Sequence, residues 1–233
     1  LQWNNEKLHI MLDTRFDFHG ETGLPTGTEL GFRAQSLRFW LEGEIIPGVR
    51  YRLRHRLNRP QNLTIENISD ATDHAYIVID LGREKNWSLT FGKQSIQFGA
   101  YEYDYNPADV YLSTMMNGDT DCHKMGLDVG YRFLGQTLNL QVFNSGSTQF
   151  ASEAYARRAL GASLLWDGNL FDGALRTRWA YSVLQHDADK VFNWITAGVQ
   201  LNFGQFTSEI DYYFGDRYMD FGIEVNDAAL GLR

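Results

Sequence analysis

The chain has 233 residues, a formal net charge of −8 and a pI near 5.2. This acidic balance excludes a general nucleic-acid-binding surface, because such surfaces carry an excess of lysine and arginine. The single cysteine, Cys122, excludes an internal disulfide, and no segment approaches the ~18 consecutive apolar residues of a membrane-spanning helix. Aromatic residues make up 14% of the chain, and only 4 residues are proline against 22 glycines, which favours long strands joined by turns.

Apolar and polar residues alternate along most of the chain, which is the pattern of strands with two different faces. The alternation starts at Leu8 and continues to His19, and it returns in residues 49–57, 127–133, 175–183, 195–203 and 206–214. Helical periodicity is almost absent. We therefore predict an all-β fold with about 12 strands of roughly 10 residues each. No linker or shift in composition divides the chain, so residues 1–233 are predicted to form a single domain.

The connections between these segments are of two lengths. Tight turns are predicted at residues 133–137, 166–170 and 203–206, and longer polar loops at 60–72, 101–121 and 185–190. Short turns on one side and long loops on the other are typical of a transmembrane antiparallel β-barrel of the outer membrane. Aromatic residues at segment ends match the interfacial girdles of such barrels: Trp40, Trp87, Phe133, Trp166 and Phe203. The alternative fold is a soluble β-sandwich or jelly roll, whose strands also alternate.

One segment of the alternation carries arginine at every second position. Its four members are Arg50, Arg52, Arg54 and Arg56. In a strand these side chains share one face. A lipid-facing arginine costs ~2–4 kcal/mol near the bilayer midplane, so in a membrane barrel the row must line the pore. Arg176 and Arg178 repeat the spacing in a later strand, and Lys93 is predicted to join them after a bulge at Gly92.

The arginine row (Arg50 to Arg56) contains no acidic residue, and its like charges repel unless water or anions separate them. This favours a lumen that guides anions. The alternative is that each arginine pairs with a carboxylate on a neighbouring strand and forms a solvated wall. The candidate partners for that arrangement are Asp13, Asp17, Glu42, Glu44, Glu209 and Asp211.

Residues 89–111 carry a pattern more specific than alternation. It consists of a Gly92-Lys93-Gln94 strand, a Phe98-Gly99 turn and a loop over residues 103–107 that reads Tyr-Asp-Tyr-Asn-Pro. This region resembles the strand and constriction loop of porins in the phosphate-selective porin O and P family, in the form found among Bacteroidetes-type bacteria. The resemblance is good over residues 75–135 and diffuse elsewhere.

The resemblance implies a homotrimeric outer-membrane barrel of about 16 strands, embedded in lipid. Small polar or anionic solutes, phosphate among them, would diffuse through it passively. A long loop would fold inward as the constriction. In this chain its residues would be Tyr101, Glu102, Tyr103, Asp104, Tyr105, Asn106 and Asp109.

Two features depart from the family pattern. About 12 strands are fewer than the resemblance implies, so we expect the chain to lack its C-terminal hairpins. The constriction residues include Glu102, Asp104 and Asp109, and their negative charge opposes phosphate selectivity. An arginine wall facing an acidic loop creates a transverse field, which also suits general diffusion of small polar solutes.

Other functions find less support in the sequence. The Asp121-Cys122-His123 triplet has no second pair at ligand spacing, so we expect no metal and no cofactor. No Gly-x-Ser-x-Gly elbow occurs, and we expect no enzymatic activity. Two alternatives to the channel stay open. The first is a soluble or surface β-protein that binds carbohydrate on an aromatic face, and the second, with less support, is a barrel that hydrolyses lipids.

Overall fold

The computed structural model describes residues 2–4, 7–25, 27–105, 122–146, 153–187, 190–216 and 227–232. Within these ranges the chain forms a single antiparallel sheet of thirteen strands in sequence order. The strands are β1 (Gln2–Asn4), β2 (His9–Leu24), β3 (Gly27–Ile46), β4 (Val49–Arg56), β5 (Thr72–Leu81), β6 (Trp87–Ser95), β7 (His123–Phe133), β8 (Gln136–Asn144), β9 (Leu160–Leu170), β10 (Leu175–Asp187), β11 (Lys190–Phe203), β12 (Phe206–Gly215) and β13 (Asp227–Leu232). None of the described pairings joins β1 to β13.

Helix is scarce in the described ranges. One short α-helix, α1, spans Glu153–Ala156, and two 3₁₀ turns span Glu102–Asp104 and Phe171–Gly173. No helix in this part of the chain is long and apolar enough to cross a membrane. The prediction of an all-β chain from its alternation is confirmed, with one strand more than the about 12 expected.

Two of the three predicted tight turns are confirmed, at residues 134–135 and 204–205. The turn predicted at 166–170 is wrong, because these residues continue β9 and the chain turns at Phe171–Gly173 instead. Gly168 is needed for close packing rather than for a turn, since a Cβ there would lie 2.3 Å from the Thr177 hydroxyl. The loop predicted at 185–190 is also mostly strand, because β10 ends at Asp187 and β11 begins at Lys190.

The sheet has two chemically different faces. We call the side against which residues 96–105 pack the inner face, and the opposite side the outer face. The outer face exposes large apolar side chains on many strands, such as Ile77 (45%), Leu140 (54%) and Trp179 (46%). A soluble monomer does not expose an apolar band of this extent, whereas a membrane barrel turns such a band to the lipid.

The hydrophobic core lies on the inner face, between residues 96–105 and the strands from β8 to β12. Phe98 is fully buried, and its ring centroid lies 5.0 Å from that of Trp194. Gly99, with φ +80°, allows this approach because a Cβ there would lie 3.0 Å from the Ala180 Cβ. The segment after β6 therefore folds back onto the sheet instead of leaving it.

Two details of the strands differ from expectation. The pairing of β5 with β6 shows no register shift at Gly92, so the predicted bulge is wrong; the glycine instead has φ +131°.

Trp40 was expected in an aromatic girdle, but it lies opposite Arg54 in the register, on the inner face. The Arg54 guanidinium carbon lies 5.0 Å from the centroid of the Trp40 ring. Trp87 and Phe203, by contrast, are exposed at strand ends beside the short turns.

Candidate functional site

Strand β4 carries the arginine row and lies between β3 and β5. Arg50, Arg52 and Arg54 are paired across the sheet with Val78, Tyr76 and His74. On the other side the same three arginines are paired with Glu44, Glu42 and Trp40. Directly paired residues in antiparallel strands point to the same face, so these side chains share the inner face.

A bulge places a carboxylate between two arginines of the row. The register of β4 with β5 shifts between Arg54 and His55, which leaves Asp73 as an extra residue. The Asp73 side chain is 3% exposed, and its carboxylate oxygens lie 2.9 Å from Arg54 Nε and 2.8 Å from Arg56 Nε. Arg38 Nε on β3 lies 4.0 Å from the same carboxylate. One buried acid thus contacts three guanidinium groups.

The other arginines of the row also have acidic partners. Arg52 Nε lies 2.7 Å from Glu42 Oε2. Arg50 Nη2 lies 3.0 Å from Asp80 Oδ1, and Arg132 Nη2 lies at the same distance from that oxygen. The row contains no acid of its own, but carboxylates on β3 and β5 compensate its like charges.

Of the six carboxylates proposed as partners, Glu42 is the one that pairs with the row among the described contacts. Asp73 and Asp80 were missed. Their positions in β5 depend on the register and on a bulge, and neither can be read from alternation alone. One signal in the sequence could have found them: the strand that follows the arginine row has an acidic residue near each of its ends.

The Asp73 cluster, formed by Arg38, Arg54, Arg56 and Asp73, carries excess positive charge. Three guanidinium charges and one carboxylate charge sum to +2 within the cluster, and Asp13, which is paired with Arg38 in the register, is a further acid beside it. Two buried donors around it also have no hydrogen-bond acceptor among the described residues, Arg38 Nη1 and Trp40 Nε1. Buried donors without acceptors are costly, so the cluster combines an excess of positive charge with hydrogen-bonding capacity that the described residues leave unused.

Arg178 contacts the predicted constriction residues. Its Nη1 lies 2.6 Å from Asp104 Oδ1, and its Nη2 lies 2.8 Å from Asp167 Oδ2. Its guanidinium carbon lies 4.7 Å from the Tyr101 ring centroid, and that of Arg176 lies 5.8 Å from it. Burial raises the pKa of Tyr101 to about 12, so its hydroxyl is neutral at pH 7 and adds no charge beside these arginines.

Lys93 occupies a different environment from the arginines. It is 4% exposed, and its ammonium group donates a hydrogen bond to the Ser69 carbonyl at 3.2 Å. Ser69 belongs to the long loop between β4 and β5, so Lys93 connects β6 to that loop.

The predicted constriction residues are held against β12. Asp211 accepts hydrogen bonds from the backbone N–H of Tyr101 and of Glu102. The Tyr213 hydroxyl donates to Glu102 at 3.0 Å, and the Tyr105 hydroxyl donates to Glu209 at 2.6 Å. Tyr103 is partly buried against the hydrophobic core that contains Phe98 and Trp194. Asn106 and Asp109 lie outside the described residues.

The triplet at residues 121–123 is only partly described. Asp121 lies outside the described residues, and Cys122 Sγ lies 3.3 Å from His123 Nδ1. In the part of the chain with described side chains, no group of three or more His, Cys, Asp or Glu residues is arranged to hold a metal ion.

Comparison with known proteins identifies the family. A search of curated proteins found no match. The model of the family described as phosphate-selective porin O and P matches residues 7–220. The matched range is most of the chain, and it contains the arginine row, the segment 96–105 and β12. The chain therefore belongs to the phosphate-selective porin O and P family.

Proposed function

We propose that this chain is an outer-membrane porin whose inner face lines a passage for small anionic solutes, phosphate among them. Family membership supports a sheet that is part of an outer-membrane β-barrel, and it supports a channel rather than an enzyme. The apolar outer face is then in contact with lipid, and solutes cross passively along the polar inner face. The family resemblance supports a homotrimer, with residues 1–233 contributing one barrel domain to each subunit.

The observation that supports anion passage is the charge of the Asp73 cluster. Its +2 charge lies on the inner face, in a partly dehydrated environment where charge acts more strongly than in bulk water. The Arg38 and Trp40 donors that have no acceptor among the described residues are buried, so the cluster would act on a passing anion through its electric field rather than through these donors. Paired arginines elsewhere in the row would contribute less, because Glu42 and Asp80 neutralise part of their field.

The segment 96–105 is proposed as the constriction. Its packing across the inner face supports this assignment, since it occupies space that would otherwise belong to the lumen. The acidic residues that opposed anion passage in the sequence are engaged: Asp104 pairs with Arg178, and Glu102 is 3% exposed and accepts from Tyr213. Their opposition to anions is therefore weaker than the sequence suggested.

The test is the reversal potential of the purified protein in a planar bilayer under a KCl gradient. We expect a potential on the anion-selective side, and a shift toward cation preference in the variant Arg54→Ala. Arg33→Ala is the matched control, because Arg33 pairs with Glu29 at an exposed site on β3, outside the row. An unchanged potential in Arg54→Ala would show that the Asp73 cluster holds strands together without selecting ions.

A further inference from the structure

One carboxylate of β12 binds the backbone of the segment 96–105. Asp211 Oδ1 lies 3.0 Å from the Tyr101 backbone nitrogen, and Oδ2 lies 3.1 Å from the nitrogens of both Tyr101 and Glu102. Asp211 is 4% exposed, and 110 residues separate it from Tyr101. A single side chain of the sheet thus binds two consecutive backbone donors of the segment.

The described hydrogen-bond donors to the Asp211 carboxylate all come from the segment. No ion pair to Asp211 occurs among the described residues, and the carboxylates of Glu209 and Glu102 act on it from the same site. Arg178 lies two strands away in the register and pairs with Asp104 and Asp167 instead. A buried carboxylate needs hydrogen-bond donors to offset its loss of hydration. Here the described donors are the backbone N–H groups of Tyr101 and Glu102, so moving the segment would leave a buried charge without them.

The neighbouring strand is shaped to admit this contact. Gly198 on β11 is paired with Asp211 in the register. A Cβ at Gly198 would lie 2.7 Å from Asp211 Oδ1 and 3.3 Å from Tyr101 Cδ2. The glycine therefore leaves the room in which the carboxylate and the Tyr101 ring lie side by side.

Alternate residues of β12 contact the segment in sequence. Glu209 accepts from the Tyr105 hydroxyl, Asp211 from the backbone at residues 101–102, and Tyr213 donates to Glu102. We propose that Asp211 is the positioning residue of the constriction: its carboxylate fixes the backbone of Tyr101 and Glu102 against β12 and thereby sets a single aperture. This inference rests on the proposed function, in which the segment narrows a channel.

The test compares Asp211→Asn with Glu209→Gln. Both substitutions remove one negative charge from the same face of β12, but Glu209 contacts the segment through a tyrosine hydroxyl and not through the backbone. In Asp211→Asn one acceptor oxygen becomes an N–H₂ group that faces backbone N–H donors. We expect single-channel recordings of Asp211→Asn to show several conductance levels and at least a three-fold increase in open-channel noise. Glu209→Gln should keep one level.

A second measurement does not depend on conduction. Hydrogen–deuterium exchange of the protein in detergent micelles should be at least ten-fold faster at the amides of Tyr101 and Glu102 in Asp211→Asn, with β8 and β9 unchanged. If Asp211→Asn does not assemble, Gly198→Ala serves in its place, because it displaces the carboxylate without removing its charge. The same noise and exchange changes are expected from it.

The outcomes separate the two proposals. Unchanged noise and exchange in Asp211→Asn, or equal changes in Glu209→Gln, would overturn the positioning role. Faster exchange in a protein that conducts no ions would uphold the contact made by Asp211 but refute the proposed channel, and with it the setting of an aperture.

Discussion

Replacing Asp73 with asparagine removes the carboxylate that three arginines share. The side chain is 3% exposed, and Arg54 Nε and Arg56 Nε lie 2.9 Å and 2.8 Å from its oxygens. Asparagine has nearly the same shape, so the substitution changes charge with little change in packing. The cluster charge rises from +2 to +3, and the guanidinium groups then repel one another without compensation.

The size of the effect follows from these distances. At an effective dielectric constant of about 20, each of the two close pairs contributes a gross attraction of about 6 kcal/mol. Desolvation of the ions offsets much of that attraction, and breaking a buried pair by removing one partner typically costs ~3–5 kcal/mol. We therefore expect Asp73→Asn to lower the free energy of unfolding by ~3–5 kcal/mol.

The assay is urea unfolding in detergent, with bilayer recordings on the folded fraction. The reversal potential of Asp73→Asn should move further toward anion preference. Adding phosphate should recover part of the lost stability, because an anion that binds the folded state stabilises it. Asp80→Asn is the comparison, since both arginines that contact Asp80 are about half exposed and the loss there should stay below ~1 kcal/mol. A loss below ~1 kcal/mol in Asp73→Asn would refute the shared-carboxylate account.

Three further changes give distinct expectations. Glu42→Gln should shift the reversal potential toward anions because it releases Arg52, while the free energy of unfolding changes by less than ~1 kcal/mol at this partly exposed pair; an unshifted potential would contradict it. Gly92→Ala should cost at least ~2 kcal/mol in the same urea assay, since its Cβ would lie 2.2 Å from the Ala75 carbonyl at φ +131°, whereas Gly31→Ala, with open space around it, should be nearly neutral. Burial raises the pKa of Tyr101 to about 12, so the folded chain holds the phenol proton more tightly than the unfolded chain does. The stability that this proton contributes is complete below pH 10 and is lost as pH rises through 12. Tyr101→Phe should therefore lose less stability than the parent chain between pH 10 and 12, and equal losses would count against this cause.

Much of the fold could be predicted from the sequence because strand alternation is a local property. Residues 49–57 show it directly, since the period of two that places four arginines on one face is a consequence of backbone geometry. The turn at residues 166–170 was mispredicted for the same local reason: Asp-Gly-Asn is typical of turns, but Gly168 is there to admit the Thr177 side chain of the next strand. The local sequence could not distinguish a turn from close packing between strands.

The partners of the arginines could not be predicted, because they depend on contacts between strands. A bulge at Asp73 and the register of β5 bring the acids to the row, and both are set by the whole sheet. Trp40 illustrates the same limit, since an aromatic residue near a segment end fits a girdle until the register places it opposite Arg54. The anchoring of residues 101–102 by Asp211 spans 110 positions, and no local pattern encodes it.

We propose that the inner face lines a water-filled passage and that the outer face meets lipid. Cys122→Ser gives a chain without cysteine, into which single cysteines can be placed. Val78 lies on the inner face opposite Arg50, and Ile77 is its neighbour on the outer face. A small anionic, water-soluble thiol reagent added during bilayer recording should reduce the current through the Val78→Cys channel and leave that of Ile77→Cys unchanged. Block at position 77 without block at position 78 would contradict the assignment of the two faces.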